Sequence, residues 1–271
     1  MSLEILEWSD FIRPPESGES PGVAVSAMTI GVFDGLHLGH RALIESIVSR
    51  GPNPTVLTFR ENPKKIVSPE TYEGDLFSLK QKLRIFEQLG VNRVILIDFS
   101  RKFSKLSGRE FLDLLEDRGK MAFLAIGSNF RCGFRQDADA DFIREMNMRR
   151  GIPTKIVPPV TLTAEAGGGK VSSSRIRSAI ISGDLKKAAV LSGRNVELDL
   201  SDIEPEFDKQ DKLKGLVYDL RSVHRIVPAP GQYPVFVYPG RIGGRVITEN
   251  GKVFLAGNFD SPAESIEFVT D

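Results

Sequence analysis

Ten residues constrain this chain more than any others: Gly31-Val32-Phe33-Asp34-Gly35-Leu36-His37-Leu38-Gly39-His40. The run before them, Val23 to Ile30, is apolar and reads as a buried strand. After them, Ala42, Leu43, Ile44, Ile47 and Val48 fall at the spacing of one helical face. A strand, a glycine-bearing turn and a helix N-terminus form a place where backbone N–H groups can receive a phosphate. Two of the chain's three histidines, His37 and His40, lie in this turn. A lone histidine on an apolar face is usually structural. A His-x-Gly-His pair preceded by Gly-x-Phe-Asp-Gly points to phosphate chemistry instead.

Strand and helix patterns then alternate. Thr55 to Phe59 and Val94 to Ile97 read as strands, with a helical stripe from Leu79 to Leu89 between them, ending at Gly90. Ser107 and Glu110 form a capping box ahead of Phe111, Leu112, Leu114 and Leu115. Met121 to Ile126 is strand-like, Phe142 to Met148 helical, and Thr154 to Val157 a short strand. Such alternation predicts an α/β domain with a parallel sheet, helices on both faces, and ligands at the strand C-terminal ends. Residues 1–22, with Pro14, Pro15 and Pro21, read as an extended lead-in with at most one short strand.

Three strand ends carry polar clusters: Arg60 to Lys65, Gly127 to Gly133, and Gly167 to Arg177. In the last, three glycines and Lys170 precede Val171-Ser172-Ser173-Ser174-Arg175-Ile176-Arg177. The serines supply hydroxyls and N–H groups at the start of a helix running to about Ser182. Arg177, one turn in, could reach the same anion. Past Arg194 the pattern changes to an acidic, irregular stretch from Asn195 to Lys214. Short strands follow at Gly215–Leu220, Val223–Val227, Tyr233–Tyr238, Arg245–Thr248 and Val253–Leu255, with a further one within Ser265–Thr270. Glu249-Asn250-Gly251-Lys252 is a hairpin signal, and the whole reads as a small antiparallel β domain.

The 36 basic and 36 acidic side chains cancel, which argues against a nucleic-acid partner. The single cysteine, Cys132, rules out an internal disulfide and a zinc cluster and suits a reducing cytoplasm. No apolar run is long enough for a bilayer span, and the N-terminus lacks signal-peptide features. The expectation is a cytoplasmic protein with no membrane partner.

In order along the chain, Gly31 to His40, Gly-x-Asn-Phe-Arg at 127–131, Val-Pro-Pro at 157–159, Ser-Ser-Ser-Arg-Ile-Arg at 172–177, Ser-Gly-Asp at 182–184 and Gly-Arg at 193–194 make one set. This set resembles the N-terminal adenylyltransferase domain of the bacterial bifunctional riboflavin kinase/FMN adenylyltransferases (FAD synthetases). The resemblance implies a nucleotidyltransferase-type Rossmann-like sheet over residues 1–195, followed at 196–271 by a degenerate riboflavin-kinase-like remnant. It implies adenylyl transfer from ATP to FMN with Mg²⁺, giving FAD and pyrophosphate. His37, His40 and Arg177 would be catalytic. Gly31, Phe33, Asp34, Gly39, Ser172, Ser173 and Ser174 would bind ATP; Asn129 and Asp139 would face the flavin. No residue is assigned as a metal ligand.

The chain departs from the family pattern at defined places. Glu61-Asn62-Pro63 replaces a Pro-His-Pro, Cys132 stands where an aromatic is usual, and Phe134 to Ala138 lacks the family's glycines. The kinase signature Gly-Phe-Pro-Thr-Ala-Asn is absent after Arg194, so adenylyl transfer without riboflavin phosphorylation is expected. Two other readings stay open: a cytidylyltransferase acting on a phosphorylated alcohol, which shares Gly-x-Phe-Asp…His-x-Gly-His, and a non-catalytic flavin- or nucleotide-binding protein.

Overall fold

A computed structural model describes residues 2–14, 25–51, 53–164, 167–207, 215–257, 259 and 261–270. Val23 and Ala24 of the first expected strand, and Asp208 and Asp211 of the acidic stretch, lie outside the described residues. The chain packs into two compact units. One comprises residues 1–33, 39–71 and 82–160, and the other 34–38, 72–81 and 161–271.

In chain order the first elements are β1 (Glu4–Glu7), α1 (Trp8–Phe11), β2 (Ser26–Ile30), α2 (Leu38–Val48), β3 (Pro54–Phe59), α3 (Lys64–Val67), α4 (Leu79–Gln88) and β4 (Arg93–Ile97). Then come α5 (Gly108–Gly119), β5 (Met121–Gly127), β6 (Arg131–Cys132), β7 (Ala138–Asp139), α6 (Ala140–Arg149) and β8 (Thr154–Val157). The expected α/β architecture is present. Six parallel strands lie in the order β1-β4-β3-β2-β5-β8, flanked by helices. β2 is buried along its length, as a central strand covered on both faces must be.

Alternate strand residues point to opposite faces. Met28, Ile30, Leu57, Ile95, Ile97, Leu124 and Ile126 share one core with α1, α5 and α6. Val56, Val94 and Leu96 alternate with them and are equally buried, as are Ile44 and Ile47 of α2 and Phe86 of α4. The Ser107–Glu110 capping box is formed in full.

The lead-in departs from expectation: besides β1 it holds the one-turn helix α1. Four residues carry no periodicity to read, and tertiary packing holds them. The Trp8 ring lies 5.5 Å from Phe11, 5.5 Å edge-on from Phe103 and 5.8 Å from Phe111.

The second unit contains β9 (Thr161–Leu162), β10 (Gly169–Lys170), α7 (Ser173–Ile181) and α8 (Leu185–Ser192). They are followed by β11 (Glu197–Asp199), β12 (Glu206–Phe207), β13 (Gly215–Asp219), β14 (Gly231–Tyr238), β15 (Ile242–Glu249), β16 (Lys252–Ala256) and β17 (Ser265–Phe268). The last seven strands form one antiparallel sheet in the order β11-β17-β14-β15-β16-β13-β12. The expected hairpin at Asn250-Gly251 joins β15 to β16, with both residues at positive φ. The strand expected over Val223–Val227 is not formed. That stretch is a turn with a single bridge, Arg225 to Asp75. His224 takes a φ of 50° there, and Pro228 and Pro230 offer no N–H to a ladder.

Trp8 seats the lead-in on the first core, so Trp8→Ala should cost about 3–5 kcal/mol, the usual loss for a buried aromatic. Urea denaturation followed by far-UV circular dichroism measures it; an unchanged midpoint would show that α1 is not anchored this way.

Candidate functional site

The turn after β2 is held open by its own backbone. Phe33 (φ 53°), Gly35 (φ 76°) and Leu36 (φ 37°) are all left-handed within four residues. At a non-glycine residue this costs of order 1 kcal/mol and persists only where the surroundings over-determine it. A Cβ on Gly35 would sit 2.7 Å from the tip of Leu76 at Cδ1, which could shift, so it is the left-handed backbone that calls for glycine there.

In the first unit, Thr58 Oγ1 donates to Val32 O at 3.2 Å and Gly31 N to Leu57 O at 3.1 Å. Phe33 is fully buried and meets the rings of His40, at 5.2 Å, and Phe86, at 5.5 Å. Phe33 therefore orients the imidazole of His40 through an edge contact. A Cβ on Gly31 would come within 3.2 Å of the Phe33 ring. Gly39 and His40 lie in the first turn of α2.

In the second unit, Asp34, Ser173 and Arg177 converge. Asp34 Oδ2 accepts from Arg177 Nη2 at 2.6 Å, with both side chains more than nine-tenths buried. The other oxygen, Oδ1, accepts from Leu76 N at 2.9 Å. Arg177 Nε donates to Gly74 O at 3.1 Å, and Ser173 Oγ donates to Asp34 O at 2.8 Å. Ser172 is the N-cap of α7, accepting from Arg175 N. Ser173 and Ser174 open the helix, whose first N–H groups have no partner within it. Arg175 donates to Lys170 O at 2.8 Å and Gly167 O at 3.2 Å, which ties the glycine-rich turn to the helix start.

His37 is buried, and burial is the main cause that pushes its pKa down to about 4; the charge of Arg194 adds to this, against a backbone hydrogen bond that raises it. The ring is neutral near pH 7 and offers one N–H donor and one acceptor. Arg194, two residues past α8, donates to Leu36 O and lies over the Phe77 ring at 5.3 Å. Sequence reading noted Arg194 only as part of a Gly-Arg pair. It did not reach Gly74, Leu76 or Phe77 at all, because nothing local marks them as neighbours of the turn.

The flavin-side candidates lie in the first unit. Asn129 is exposed in the turn after β5, and Asp139 caps α6 by accepting from Phe142 N at 3.0 Å. Where the family has glycines, Arg135 (φ 55°) and Gln136 (φ 60°) keep left-handed backbone. Burial, with the charge of Asp137, pushes the Cys132 thiol up to about 12, so it stays protonated. Asn62 is buried, and its Oδ1 accepts from Lys64 N at 3.2 Å.

Residues 22–175 match the model of the FAD synthetase family, more than half of the chain. The chain belongs to that family. A bifunctional riboflavin kinase/FMN adenylyltransferase from Escherichia coli K12 is 32% identical over 171 residues, covering 61% of this chain and 53% of that protein. An FAD synthetase from Listeria monocytogenes is 28% identical over 172 residues, covering 62% of this chain and 68% of that protein. The chain thus spans about half the length of the bifunctional relatives it matches. A solved structure described as a macrolide-efflux protein from Streptococcus pneumoniae aligns with a TM-score of 0.76 at 22% identity, over 98% of this chain and 89% of that one. At that identity the likeness is one of fold, and it extends through the C-terminal sheet.

Two measurements probe this cluster. Asp34→Asn leaves the buried Arg177 without its charge partner and should cost about 3–5 kcal/mol; a loss under 1 kcal/mol would show that the pair is solvated. His37 has a folded pKa near 4 against an ordinary value of 6.5. The unfolded chain therefore binds the proton more tightly, and stability is lost as pH falls from 6.5 toward 4. The difference in unfolding free energy between the protein and His37→Gln should narrow or change over that window, by at most ~3 kcal/mol. Parallel curves from pH 7 to pH 4 would contradict the burial of a neutral ring.

Proposed function

We propose that this chain transfers the adenylyl group of ATP to FMN, giving FAD and pyrophosphate. One observation carries the reading. The histidine turn and the serine helix start are joined by Ser173 Oγ to Asp34 O and by the Asp34–Arg177 pair. Two phosphate-receiving elements held in register are what phosphoryl-group chemistry needs. Membership of the FAD synthetase family supports the same substrates, as do relatives that carry FMN adenylyltransferase in their names.

An FMN phosphate oxygen attacks Pα of ATP in line. The new O–P bond forms as the bond from Pα to the bridging oxygen breaks, and pyrophosphate leaves with that electron pair. His37 and His40 donate hydrogen bonds to the phosphates. Neutral His37 contributes its N–H without first having to gain a proton. Ser172 and Ser174 offer hydroxyls to the β- and γ-phosphates, and Ser173, whose own hydroxyl is given to Asp34 O, offers its backbone N–H at the start of α7. Nε and Nη2 of Arg177 are engaged with Gly74 and Asp34, so a phosphate would meet the guanidinium through its remaining donors. Gly31, Phe33, Asp34 and Gly39 shape the turn around the nucleotide, with Asn129 and Asp139 on the flavin side. Among the described residues no three His, Cys, Asp or Glu side chains are grouped to cage a metal ion. That suits Mg²⁺ arriving on ATP, bound by phosphates and water.

Residues 1–195 are the proposed adenylyltransferase and 196–271 the kinase-like remnant, inactive toward riboflavin. The two threonines of that remnant have structural partners: Thr248 donates to Ala229 O at 2.6 Å and Thr270 to Asn195 Oδ1 at 2.9 Å. We propose a cytoplasmic location, which a lone cysteine suits; among the described residues no helix is long and apolar enough to cross a membrane.

Chromatography of parallel reactions tests the reading. FMN with ATP and Mg²⁺ should yield FAD; riboflavin with ATP should yield no FMN, and CTP should not replace ATP. His40→Ala should lower FAD formation by about 10²-fold with the fold intact, the loss expected for one preorganised donor at developing charge. No FAD from the unaltered protein would leave the non-catalytic reading, and turnover with CTP and a phosphorylated alcohol the cytidylyltransferase.

A further inference from the structure

One stretch of backbone connects the catalytic turn to the C-terminal sheet. Residues 74–76, bridged at Asp75 to Arg225, use their two edges for different partners. On one edge, Gly74 O accepts from Arg177 Nε at 3.1 Å and Leu76 N donates to Asp34 Oδ1 at 2.9 Å. On the other, Asp75 N donates to His224 O at 2.8 Å and Asp75 O accepts from Ile226 N at 3.1 Å. The alternation is that of a central β-strand, here with side-chain partners on one side and backbone on the other.

The attachment continues downstream. Ser78 Oγ donates to a carboxylate oxygen of Asp199, at the end of β11, and Gln81 Nε2 donates to Glu197 O at 3.1 Å. Arg225, the residue opposite Asp75, donates to Asp199 O at 2.5 Å and to the Asp202 carboxylate. One network of this unit therefore ties the two attachments together. Gly74 has a φ of 118°, and a Cβ there would meet His224 O at 2.6 Å. Only glycine allows the two backbones to approach so closely. Phe77 adds a third connection, since it lies under Arg194, which holds Leu36 O beside His37.

We propose that the C-terminal sheet works as a brace for the catalytic turn, with Gly74, Ser78, Asp199 and the His224–Ile226 backbone as positioning residues for His37 and Asp34. The proposal rests on the adenylyl-transfer reading above for its kinetic consequence. It gives residues 196–271 a task that needs no second active site. The strained turn requires external support, and a sheet whose strands are paired along their length is a rigid anchor. Misplacement by about 1 Å far from the chemistry can cost on the order of 10²-fold in rate.

The test uses the full chain. Gly74→Ala should break the pairing with 224–226, and Ser78→Ala, the milder change, should release Asp199. Both should lower kcat roughly 10- to 100-fold at saturating ATP and FMN, with less effect on KM, while near-UV circular dichroism stays native. Ser78→Thr, which keeps the hydroxyl, should restore most of the rate. Amide exchange gives a readout independent of turnover. Mg-ATP alone should slow the Leu76 and Ile226 amides together, and Gly74→Ala should abolish that effect at Ile226 while the amides of Val235 and Val246 stay protected. If the chain makes no FAD but Mg-ATP still protects both amides, the reaction assignment fails and the brace stands. Normal kcat in a Gly74→Ala protein whose Ile226 amide has become unprotected would overturn the brace. So would Mg-ATP protection of Leu76 without Ile226, and so would a Ser78→Ala loss that threonine does not restore.

Discussion

The second unit is organised around a buried ion pair. Asp34 and Arg177 are 143 residues apart in sequence, yet their side chains meet at 2.6 Å, almost out of water. Burying two charges is expensive, and mutual attraction repays it only when the remaining hydrogen-bonding capacity is filled. Here backbone takes up part of it: Leu76 N donates to the carboxylate, and Gly74 O accepts from the guanidinium. The same four groups therefore fix three pieces of chain at once, the turn at 34–38, the segment at 74–76 and α7. A polar cluster of this kind specifies geometry more than it adds stability.

That fixing explains how the turn can hold Phe33 and Leu36 in left-handed conformations. The strain is local, and its support comes from elsewhere in the chain. Burial of His37 follows from the same closure. A ring with its pKa near 4 stays uncharged near neutral pH and can donate an N–H there without first gaining a proton. Positive charge comes from Arg194 instead. It is set one residue back through Leu36 O, where it also disfavours protonation of His37.

The C-terminal sheet carries no Gly-Phe-Pro-Thr-Ala-Asn segment and is regularly ordered. Seven antiparallel strands bury Val235, Val237, Val246, Leu255, Ile266 and Phe268. Its threonines and the acidic residues Asp199 and Asp202 serve hydrogen bonds within the unit. Residues 224–226 of this unit hold Asp75 through backbone hydrogen bonds.

Much of this protein was legible from sequence because the physics involved is local. The alternation of β2, β3, β4 and β5 with amphipathic helices, the Ser107–Glu110 capping box and the Asn250-Gly251 hairpin each depend on residues within a few positions of one another. The histidine turn and the serine cap of α7 were legible as local elements for the same reason, since their residues lie within a few positions of one another. Tertiary structure decided the rest. The one-turn helix at Trp8 exists because three aromatic rings surround it, not because of its own periodicity. Val223–Val227 had the apolar composition of a strand, but the turn at His224 and the two prolines left it only one bridging residue. Above all, sequence could name Asp34 and Arg177 but not pair them, nor choose Gly74 and Leu76 as their partners. Hydrogen bonds between segments a hundred residues apart leave no local pattern, and only the packed chain brings their donors and acceptors to about 3 Å.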